Sequence, residues 1–331
     1  MVNTQELETV AQGMVAKGKG ILAADESMGT IKRRFDSIKI ESNEENRRAY
    51  REMLFTTKGI EEAISGVILF DETLRTKASD GTPFAQLLSK KGIMPGIKVD
   101  KGPVEIPNFP GEVVTEGLDG LRARLKEYKE LGAKFAKWRA VISIGDGIPT
   151  YTCLELNAEA LARYAALCQE AGIVPIVEPE VLLDGSHTIE RAQEVTEHTL
   201  KVTFTQLFLQ RVYLEGMILK PSMVVPGKDS PKKASVEEVA ERTIRCLKRT
   251  VPAAVPGIAF LSGGQSAESA TEHLNAMNAM GPLPWEVTFS YARALQDPAL
   301  KAWKGHPGNI GAAQKTFHHR AKCNSAARSG S

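Results

Sequence analysis

Eight short apolar segments, distributed along almost the whole chain, constrain the fold more than any other feature of the sequence. Their apolar residues are mostly continuous rather than alternating, which is typical of parallel strands that are buried on both faces. Longer amphipathic stretches separate them. The segments are residues 20–25, 66–70, 95–100, 135–142, 173–180, 216–222, 257–264 and 285–291.

The stretches between these segments carry helix-start signals. Ser42 with Glu45, and Ser235 with Glu238, have the spacing of capping boxes, in which a hydroxyl and a carboxylate satisfy free backbone donors at a helix start. Asn157 is predicted to cap a further helix. Together with the apolar segments, these signals indicate alternating strands and helices.

Eight strand–helix alternations predict an α/β protein with a single closed (β/α)₈ barrel, the TIM barrel, over residues 1–305. The length of 331 residues alone would suit about two domains of ~150 residues, but the alternation favours one. Residues 306–331 contain Gly308 and Gly311 and end in the polar run RAKCNSAARSGS, so we expect a flexible, partly ordered tail there.

Composition narrows the class of partner and the compartment. The chain has 42 Lys and Arg against 40 Asp and Glu, a net charge of +2, which argues against a nucleic-acid partner. Its longest uncharged window, residues 250–267, is interrupted by prolines and glycines, so we expect no membrane span. The four cysteines are far apart and form no C-x-x-C pair, which favours a reducing, cytoplasmic setting over a disulfide or zinc framework.

Three lysines lie within or at the ends of predicted strands: Lys98, Lys137 and Lys220. The C-terminal ends of barrel strands are where the active site of such a fold forms. Any one lysine could simply reach the rim or pair with a carboxylate. Three together favour a cationic site, because a buried lysine beside other cations loses its proton more readily and can then form a Schiff base with a carbonyl.

Carboxylates accompany these lysines. Lys137 with Arg139, and Glu178 with Glu180, have period-2 spacing, which places each pair on one face of its strand. A carboxylate could dehydrate a carbinolamine as general acid/base, although Glu178 and Glu180 could also be counter-ions to the cations. Asp25, which ends the first segment, is either catalytic or a helix N-cap.

A phosphate site is predicted after the seventh and eighth strands. The glycines of Ser262-Gly263-Gly264 would let backbone N–H groups approach a phosphate at a helix start, although a tight turn alone would explain them. Ser290 and Arg293 follow the eighth strand, and this is the usual place for a phosphate in such barrels.

Seven motifs in order give the chain a clear resemblance to a known family: GILAADES, GIKVDKG, FAKWR, VPIVEPE, LEGMILKPSM, FLSGGQS and TFSYARALQ. From about residue 5 to about residue 325, the sequence resembles the class I, Schiff-base fructose-1,6-bisphosphate aldolases. The resemblance implies a lyase of glycolysis and gluconeogenesis. It would cleave fructose 1,6-bisphosphate reversibly to dihydroxyacetone phosphate and glyceraldehyde 3-phosphate, without a metal or other cofactor. It also implies a homo-oligomer, a tetramer or smaller.

The resemblance also implies roles for individual residues. Lys220 would form the Schiff base, Glu178 would be its acid/base with Glu180 beside it, Lys137 would support developing charge, and Asp25 would act at the C4 hydroxyl. One phosphate subsite would comprise Ser262, Gly263, Gly264, Ser290 and Arg293. The other region would comprise Ser27, Thr30, Arg34, Lys98 and Arg139.

The sequence departs from the family pattern at two places. Ala292 stands where many members have glycine, but its N–H remains, so we expect phosphate binding to survive. No tyrosine follows Tyr291, whereas many eukaryotic members end in one that transfers a proton. Either another group or water would fill that role, or the sequence is truncated.

Three alternative functions have less support in the sequence. A metal-dependent aldolase needs clustered histidines, but the six here lie outside the strand ends, lack H-x-x-x-H spacing and are interpreted as surface residues. A transaldolase-like lyase would not need two phosphate sites. A binding scaffold has only Lys232-Lys233 and the weakly basic tail in its favour.

Overall fold

Strands of the computed structural model, which describes residues 3–331, form one closed barrel and one small hairpin. In chain order they are β1 (Gly20–Ala24), β2 (Ile64–Leu69), β3 (Met94–Lys98), β4 (Gly102–Glu105), β5 (Val113–Glu116), β6 (Phe135–Ile142), β7 (Val174–Val181), β8 (Ile218–Leu219), β9 (Gly257–Phe260) and β10 (Glu286–Tyr291). The barrel order is β1-β10-β9-β8-β7-β6-β3-β2, and its neighbours run parallel.

Helices connect the strands and cover the outside of the barrel. They are α1 (Thr4–Met14), α2 (Met28–Asp36), α3 (Glu44–Thr56), α4 (Asp71–Arg75), α5 (Phe84–Lys90), α6 (Leu121–Glu130), α7 (Tyr151–Glu170), α8 (Ile189–Leu209), α9 (Val236–Thr250), α10 (Ala267–Ala279), α11 (Arg293–Trp303) and α12 (Ile310–Ala326). In the part of the chain that the structure describes, no helix has both the length and the apolarity required to cross a bilayer.

The predicted TIM barrel is confirmed, and each of the eight predicted segments overlaps a barrel strand. The antiparallel hairpin of β4 and β5 was not predicted. Its strands have only four residues each, are mostly exposed and begin beside glycine and proline, so they carry no apolar run.

One end of the barrel is closed by apolar side chains. Leu7, Ala11 and Met14 of α1 pack against the buried interior residues at the start of the strands. The Phe135 ring fills the centre there, and a Cβ at Gly96 would lie 2.2 Å from that ring. Glycine at this position is therefore required by space, and the N-terminal end of the barrel cannot admit a ligand.

Interior side chains change from apolar to charged along β6 and β7. Phe135 on β6 and Ile176 on β7 are apolar interior residues. Lys137 and Glu178, each two residues farther along, line a cavity at the opposite end. The period-2 spacing of a strand keeps these positions on the inner face. Polar chemistry is therefore confined to the C-terminal mouth of the barrel.

The segment after Gly305 differs from the flexible tail expected from the sequence. A short 3₁₀ turn (Pro307–Asn309) leads into α12, which packs against α11 and α3. Its side chains Ala313, Phe317 and Ala321 are fully buried. Their i, i+4 spacing forms one apolar stripe, which the surrounding glycines and polar residues obscured in the sequence.

Two of the three predicted helix starts are wrong. Helix α3 begins after Asn43, not Ser42, because the Asn43 side chain accepts a hydrogen bond from the Asn46 N–H at 2.8 Å. Asn157 lies inside α7, where its amide donates to the Val113 carbonyl at 2.8 Å and so anchors the hairpin. The Ser235 start of α9 is confirmed, since its hydroxyl accepts from the Glu238 N–H.

Candidate active site

Four charged side chains form a continuous chain in the mouth of the barrel. Lys220 Nζ lies 3.1 Å from Glu178 Oε1, and the other oxygen of Glu178 lies 3.4 Å from Lys137 Nζ. Lys137 Nζ also contacts Asp25 Oδ2 at 2.6 Å. These groups come from β7, from β6 and from the residues that follow β8 and β1, so barrel closure brings them together.

Because these four side chains are buried, the charged form of each is stabilised by its charged neighbours. Side-chain exposure is 4% for both Lys220 and Glu178, 5% for Lys137 and 11% for Asp25. Burial alone raises the pKa of Asp25, but the charges of Lys137 and Lys220 outweigh it and hold that pKa well below its ordinary value. Asp25 is therefore an ion-paired carboxylate. It is not a helix N-cap, because Ser27 occupies that position of α2.

Lys137 is a permanent cation in this arrangement. Burial alone lowers the pKa of Lys137, but the carboxylates of Asp25 and Glu178 outweigh it and raise that pKa well above its ordinary value. A protonated amine cannot be a nucleophile. Of the two lysines that contact Glu178, Lys137 therefore supplies charge.

A second set of ion pairs forms the wall beside β3 and β6. Arg139 Nε pairs with Glu180 Oε2. Burial alone would lower the pKa of Arg139, but the charge of Glu180 outweighs burial and raises that pKa. Lys98 Nζ contacts Asp100 Oδ1 at 2.6 Å, and the other Asp100 oxygen accepts from the Arg139 N–H at 3.2 Å. Asp100 therefore links the Lys98 side chain to the backbone of β6 at Arg139.

The segment after β9 has the backbone of an anion-binding turn. Gly263 and Gly264 have φ of +58° and +90°, which residues with a side chain rarely adopt. A Cβ at Gly264 would lie 3.4 Å from the Arg293 guanidinium, so the turn and that cation are neighbours. Among the described residues, the buried Ser290 hydroxyl has no hydrogen-bond partner, and it lines the same cavity. An unpaired buried hydroxyl of this kind is suited to a ligand.

Two residues around this turn differ from what the sequence indicated. Ala292 has φ of −101°, so the position does not need the left-handed freedom of glycine. His273 is buried, not a surface residue, and its Nδ1 lies 2.6 Å from Gln265 Oε1. Gln265 in turn donates to the Ser262 carbonyl at 3.1 Å, so His273 supports the turn from behind. The prediction that His273 lies on the surface was wrong, because its helix, α10, directs this position toward the turn after β9.

Helix α2 and its N-cap residue, which follow Asp25 in the chain, contribute a third set of polar side chains. Ser27 Oγ donates to Thr30 Oγ1 at 3.2 Å, and Arg34 Nη1 contacts Glu26 Oε1 at 2.6 Å. Arg33 also donates to Thr30. Ser27, Thr30 and Arg34 are all in the cavity wall, as the resemblance implied.

All these groups surround one cavity of about 830 Å³. Every candidate residue named from the sequence lines it except Gly264, which lies behind Arg293. The structure adds charged or hydroxyl residues that the sequence analysis did not single out: Glu26, Arg33, Ser37, Asp100, Lys101, Asp297 and Lys301. Asp297 and Lys301 lie four and eight positions after Arg293 on α11, and this helical spacing was the signal that could have found them.

Comparison with known proteins agrees with this geometry. A family model described as fructose-bisphosphate aldolase class-I matches residues 6–331. The chain belongs to the class I fructose-bisphosphate aldolase family.

Individual relatives match along nearly their whole lengths. A probable fructose-bisphosphate aldolase class 1 from Xanthomonas axonopodis pv. citri is 59% identical, with 99% of each chain covered. The cytosolic fructose-bisphosphate aldolase 4 of Arabidopsis thaliana is 54% identical over 100% of this chain and 84% of its own. A solved Plasmodium falciparum aldolase, in complex with TRAP and a small-molecule inhibitor, is 51% identical with a TM-score of 0.98, covering 98% of this chain and 94% of that one.

Family membership confirms the predicted class of reaction. This aldolase is a lyase that cleaves fructose 1,6-bisphosphate reversibly to two triose phosphates through a lysine Schiff base. The metal-dependent and transaldolase-like alternatives are excluded by the match to class I. Within residues 3–331, no group of three or more His, Cys, Asp or Glu side chains has an arrangement that could hold a metal ion.

Proposed function

We propose that Lys220 is the Schiff-base lysine of this aldolase and that Glu178 is its acid/base. The observation that carries this proposal is the 3.1 Å contact between Lys220 Nζ and Glu178 Oε1 at the buried end of the cavity. A carboxylate at that distance can accept a proton from the amine, which leaves a neutral nucleophile. Lys137, which is held protonated by two carboxylates, cannot serve as the nucleophile in the same way.

Imine formation then follows from proton transfers through Glu178. The Lys220 nitrogen attacks the C2 carbonyl carbon, and the proton that the nitrogen then loses passes to the carbonyl oxygen to give a carbinolamine. The protonated Glu178 returns its proton to the departing hydroxyl, which leaves as water while the C=N bond forms. The positive charge of Lys137, 3.4 Å from Glu178, stabilises the carboxylate that this step regenerates.

Cleavage of the C3–C4 bond requires a base at the C4 hydroxyl, and we assign this role to Asp25. Its carboxylate is ionised and lines the cavity, linked to Lys137 at 2.6 Å. As Asp25 accepts the hydroxyl proton, C4 becomes the aldehyde carbon of glyceraldehyde 3-phosphate. The electron pair of the broken bond moves to C3 and into the iminium, which becomes an enamine. Protonation at C3 and hydrolysis of the imine then release dihydroxyacetone phosphate.

Two phosphate subsites are proposed at opposite sides of the mouth. The first subsite would comprise Ser262, Gly263 and Gly264 after β9, Ser290 near the end of β10, and Arg293 at the start of α11. Strand β9 is the neighbour of the strand that precedes Lys220. The C1 phosphate is one carbon from the imine carbon, so we place it here. Lys98 and Arg139, on strands across the barrel, are proposed for the C6 phosphate, together with Ser27, Thr30 and Arg34.

Trapping the imine tests the central assignment. The aldolase is incubated with dihydroxyacetone phosphate, reduced with borohydride, digested and analysed by mass spectrometry. We expect one adduct, on the peptide that contains Lys220, and none in Lys220→Met. An adduct on Lys137 or Lys98 instead would refute the assignment, and loss of activity in EDTA would contradict the metal-free mechanism.

We further propose a cytoplasmic homo-oligomer, a tetramer or smaller. Relatives described as cytosolic support the location. Phe208 and Leu209 at the end of α8 are 80% and 62% exposed, and large exposed apolar side chains of this kind are suited to an interface between copies. Light scattering coupled to size-exclusion chromatography measures the assembly directly, and a monomeric mass would contradict the proposal.

A further inference from the structure

A buried polar cluster lies behind the cavity wall where Arg34 is placed. It consists of Glu26, Arg34, Tyr50, Arg51 and Gln296, contributed by α2, α3, α11 and the residues that follow β1. Only Glu26 and Arg34 reach the cavity. Arg51 is 3% exposed and lies outside the cavity lining, so it cannot contact a substrate.

Three contacts of this cluster converge on the Glu26 carboxylate. One oxygen contacts Arg34 Nη1 at 2.6 Å and accepts from Gln296 Nε2 at 2.9 Å. The other oxygen accepts from Arg51 Nη2. Glu26 is therefore shared by two guanidinium groups, one facing the cavity and one behind it.

Gln296 fixes the orientation of this arrangement. Its Nε2 also donates to the Ala23 carbonyl of β1 at 2.6 Å, which ties the cluster to the barrel. Its Oε1 accepts from Tyr50 Oη at 3.0 Å and from Arg51 Nη1 at 3.3 Å. Because the amide is held on both sides, Arg51 has a defined position relative to Glu26.

Charge counting shows what Arg51 does for the cavity. Burial alone raises the pKa of Glu26, but Arg34 and Arg51 outweigh it and lower that pKa, so the carboxylate is ionised. Two guanidinium cations and one carboxylate have a net charge of +1. Without Arg51, the Arg34–Glu26 pair at the cavity wall would have no net charge, and its attraction for a phosphate would fall.

We propose that Arg51 is a positioning residue that neutralises Glu26 from behind and thereby leaves Arg34 with positive charge for a substrate phosphate. The proposal rests on the phosphate-binding role assigned to Arg34 above. It extends the substrate site to a residue that no substrate atom touches.

Steady-state kinetics of substituted enzymes with fructose 1,6-bisphosphate test the proposal. Arg51→Met should raise KM about tenfold, equivalent to about 1.4 kcal/mol of binding free energy, while kcat changes by less than about twofold. The double variant Glu26→Gln/Arg51→Met removes both opposite charges and restores a net +1, so its KM should return to within about threefold of wild type. Arg34→Met tests the underlying role of Arg34 and should itself raise KM.

Arg47→Met is the matched control. Arg47 lies one turn before Arg51 on α3 and pairs with Glu72 at 2.6 Å, outside the cavity. The Arg47→Met variant loses a partly buried guanidinium–carboxylate pair from the same helix, and its KM should stay at the wild-type value. A rise as large as that in Arg51→Met would show that damage to α3 accounts for both and would overturn the proposal.

The remaining outcomes separate the two assignments. The proposal is overturned if KM is unchanged in Arg51→Met. It is also overturned if the double variant has a KM at least as high as that of Arg51→Met, since removing the Glu26 charge would not rescue a residue whose role was packing. An unchanged KM in Arg34→Met instead refutes the role of Arg34 itself. If Arg51→Met does not fold, Arg51→Lys serves as the test, because it retains the positive charge. Its KM should stay within about threefold of the wild-type value. A tenfold rise of KM in Arg51→Lys also overturns the proposal.

Discussion

Replacing Glu178 with glutamine removes the only group that contacts Lys220 within the described charge chain. Glutamine can occupy the same space and still accept a hydrogen bond at about the same place, but it can neither take a proton from the Lys220 amine nor give one to the departing hydroxyl. General acid–base catalysis typically contributes 10²–10⁴-fold, so we expect imine formation to slow by about 10²-fold or more, which corresponds to about 2.7 kcal/mol or more in the barrier.

The charge balance limits what else the substitution changes. Lys137 loses a carboxylate oxygen at 3.4 Å but retains Asp25 at 2.6 Å, so it stays ion-paired and in place. The cavity walls that hold the phosphates are contributed by other elements. KM should therefore change much less than the rate of imine formation.

Rapid quenching with borohydride measures this step directly. Samples mixed with dihydroxyacetone phosphate are quenched at increasing times, and the fraction of Lys220 carrying the reduced adduct is measured by mass spectrometry. Glu180→Gln is the matched control, because Glu180 lies two residues along the same strand but pairs with Arg139 instead of Lys220. Near-wild-type imine formation in Glu178→Gln, with a large loss in Glu180→Gln, would refute our assignment and transfer the role to Glu180.

Four further predictions concern cleavage, specificity and stability. Asp25→Asn should lower cleavage by about 10²-fold or more while the Lys220 adduct with dihydroxyacetone phosphate still forms; failure to trap that adduct would place Asp25 in imine formation instead. Lys98→Met should raise KM for fructose 1,6-bisphosphate about tenfold or more, and equal effects on fructose 1-phosphate would contradict its C6 assignment. Because folding lowers the pKa of Asp25, its ion pair stabilises the fold above about pH 4. The free energy of unfolding in urea should therefore be higher for wild type than for Asp25→Asn, and this difference should shrink as the pH falls below that value. A difference that stays constant with pH would contradict this linkage. Phe317→Ala should reduce the free energy of unfolding by about 3–5 kcal/mol, measured by urea denaturation, and a loss below about 1 kcal/mol would show that α12 is not part of the folded core.

The barrel was predictable because buried parallel strands leave a strong local signal. The eight strands are mostly apolar, and Lys137 and Glu178, whose period-2 partners share a strand face with them, line the cavity. The hairpin of β4 and β5 was not predictable in the same way, since its strands are short and mostly exposed. Its anchor, the Asn157 amide on the Val113 carbonyl, joins residues far apart in sequence, which local patterns cannot indicate.

The C-terminal segment shows the limits of composition. Glycine and polar residues suggested a partly ordered tail, yet α12 buries Phe317 completely. Helix formation here is favoured by packing of one apolar stripe against α11 and α3, so the decisive contribution is tertiary. For the same reason His273 was interpreted as exposed, although α10 directs it toward Gln265.

By itself, the sequence determined the fold class, the family and a set of candidate site residues of which all but Gly264 line the cavity, because strand periodicity and ordered motifs are local properties of the chain. Only the tertiary structure decided which charge meets which. Glu178 contacts Lys220 and Lys137, whereas Glu180 pairs with Arg139, although the two glutamates are only two residues apart. Barrel closure sets these distances, and in a buried site they decide which carboxylate balances the charge of each cation.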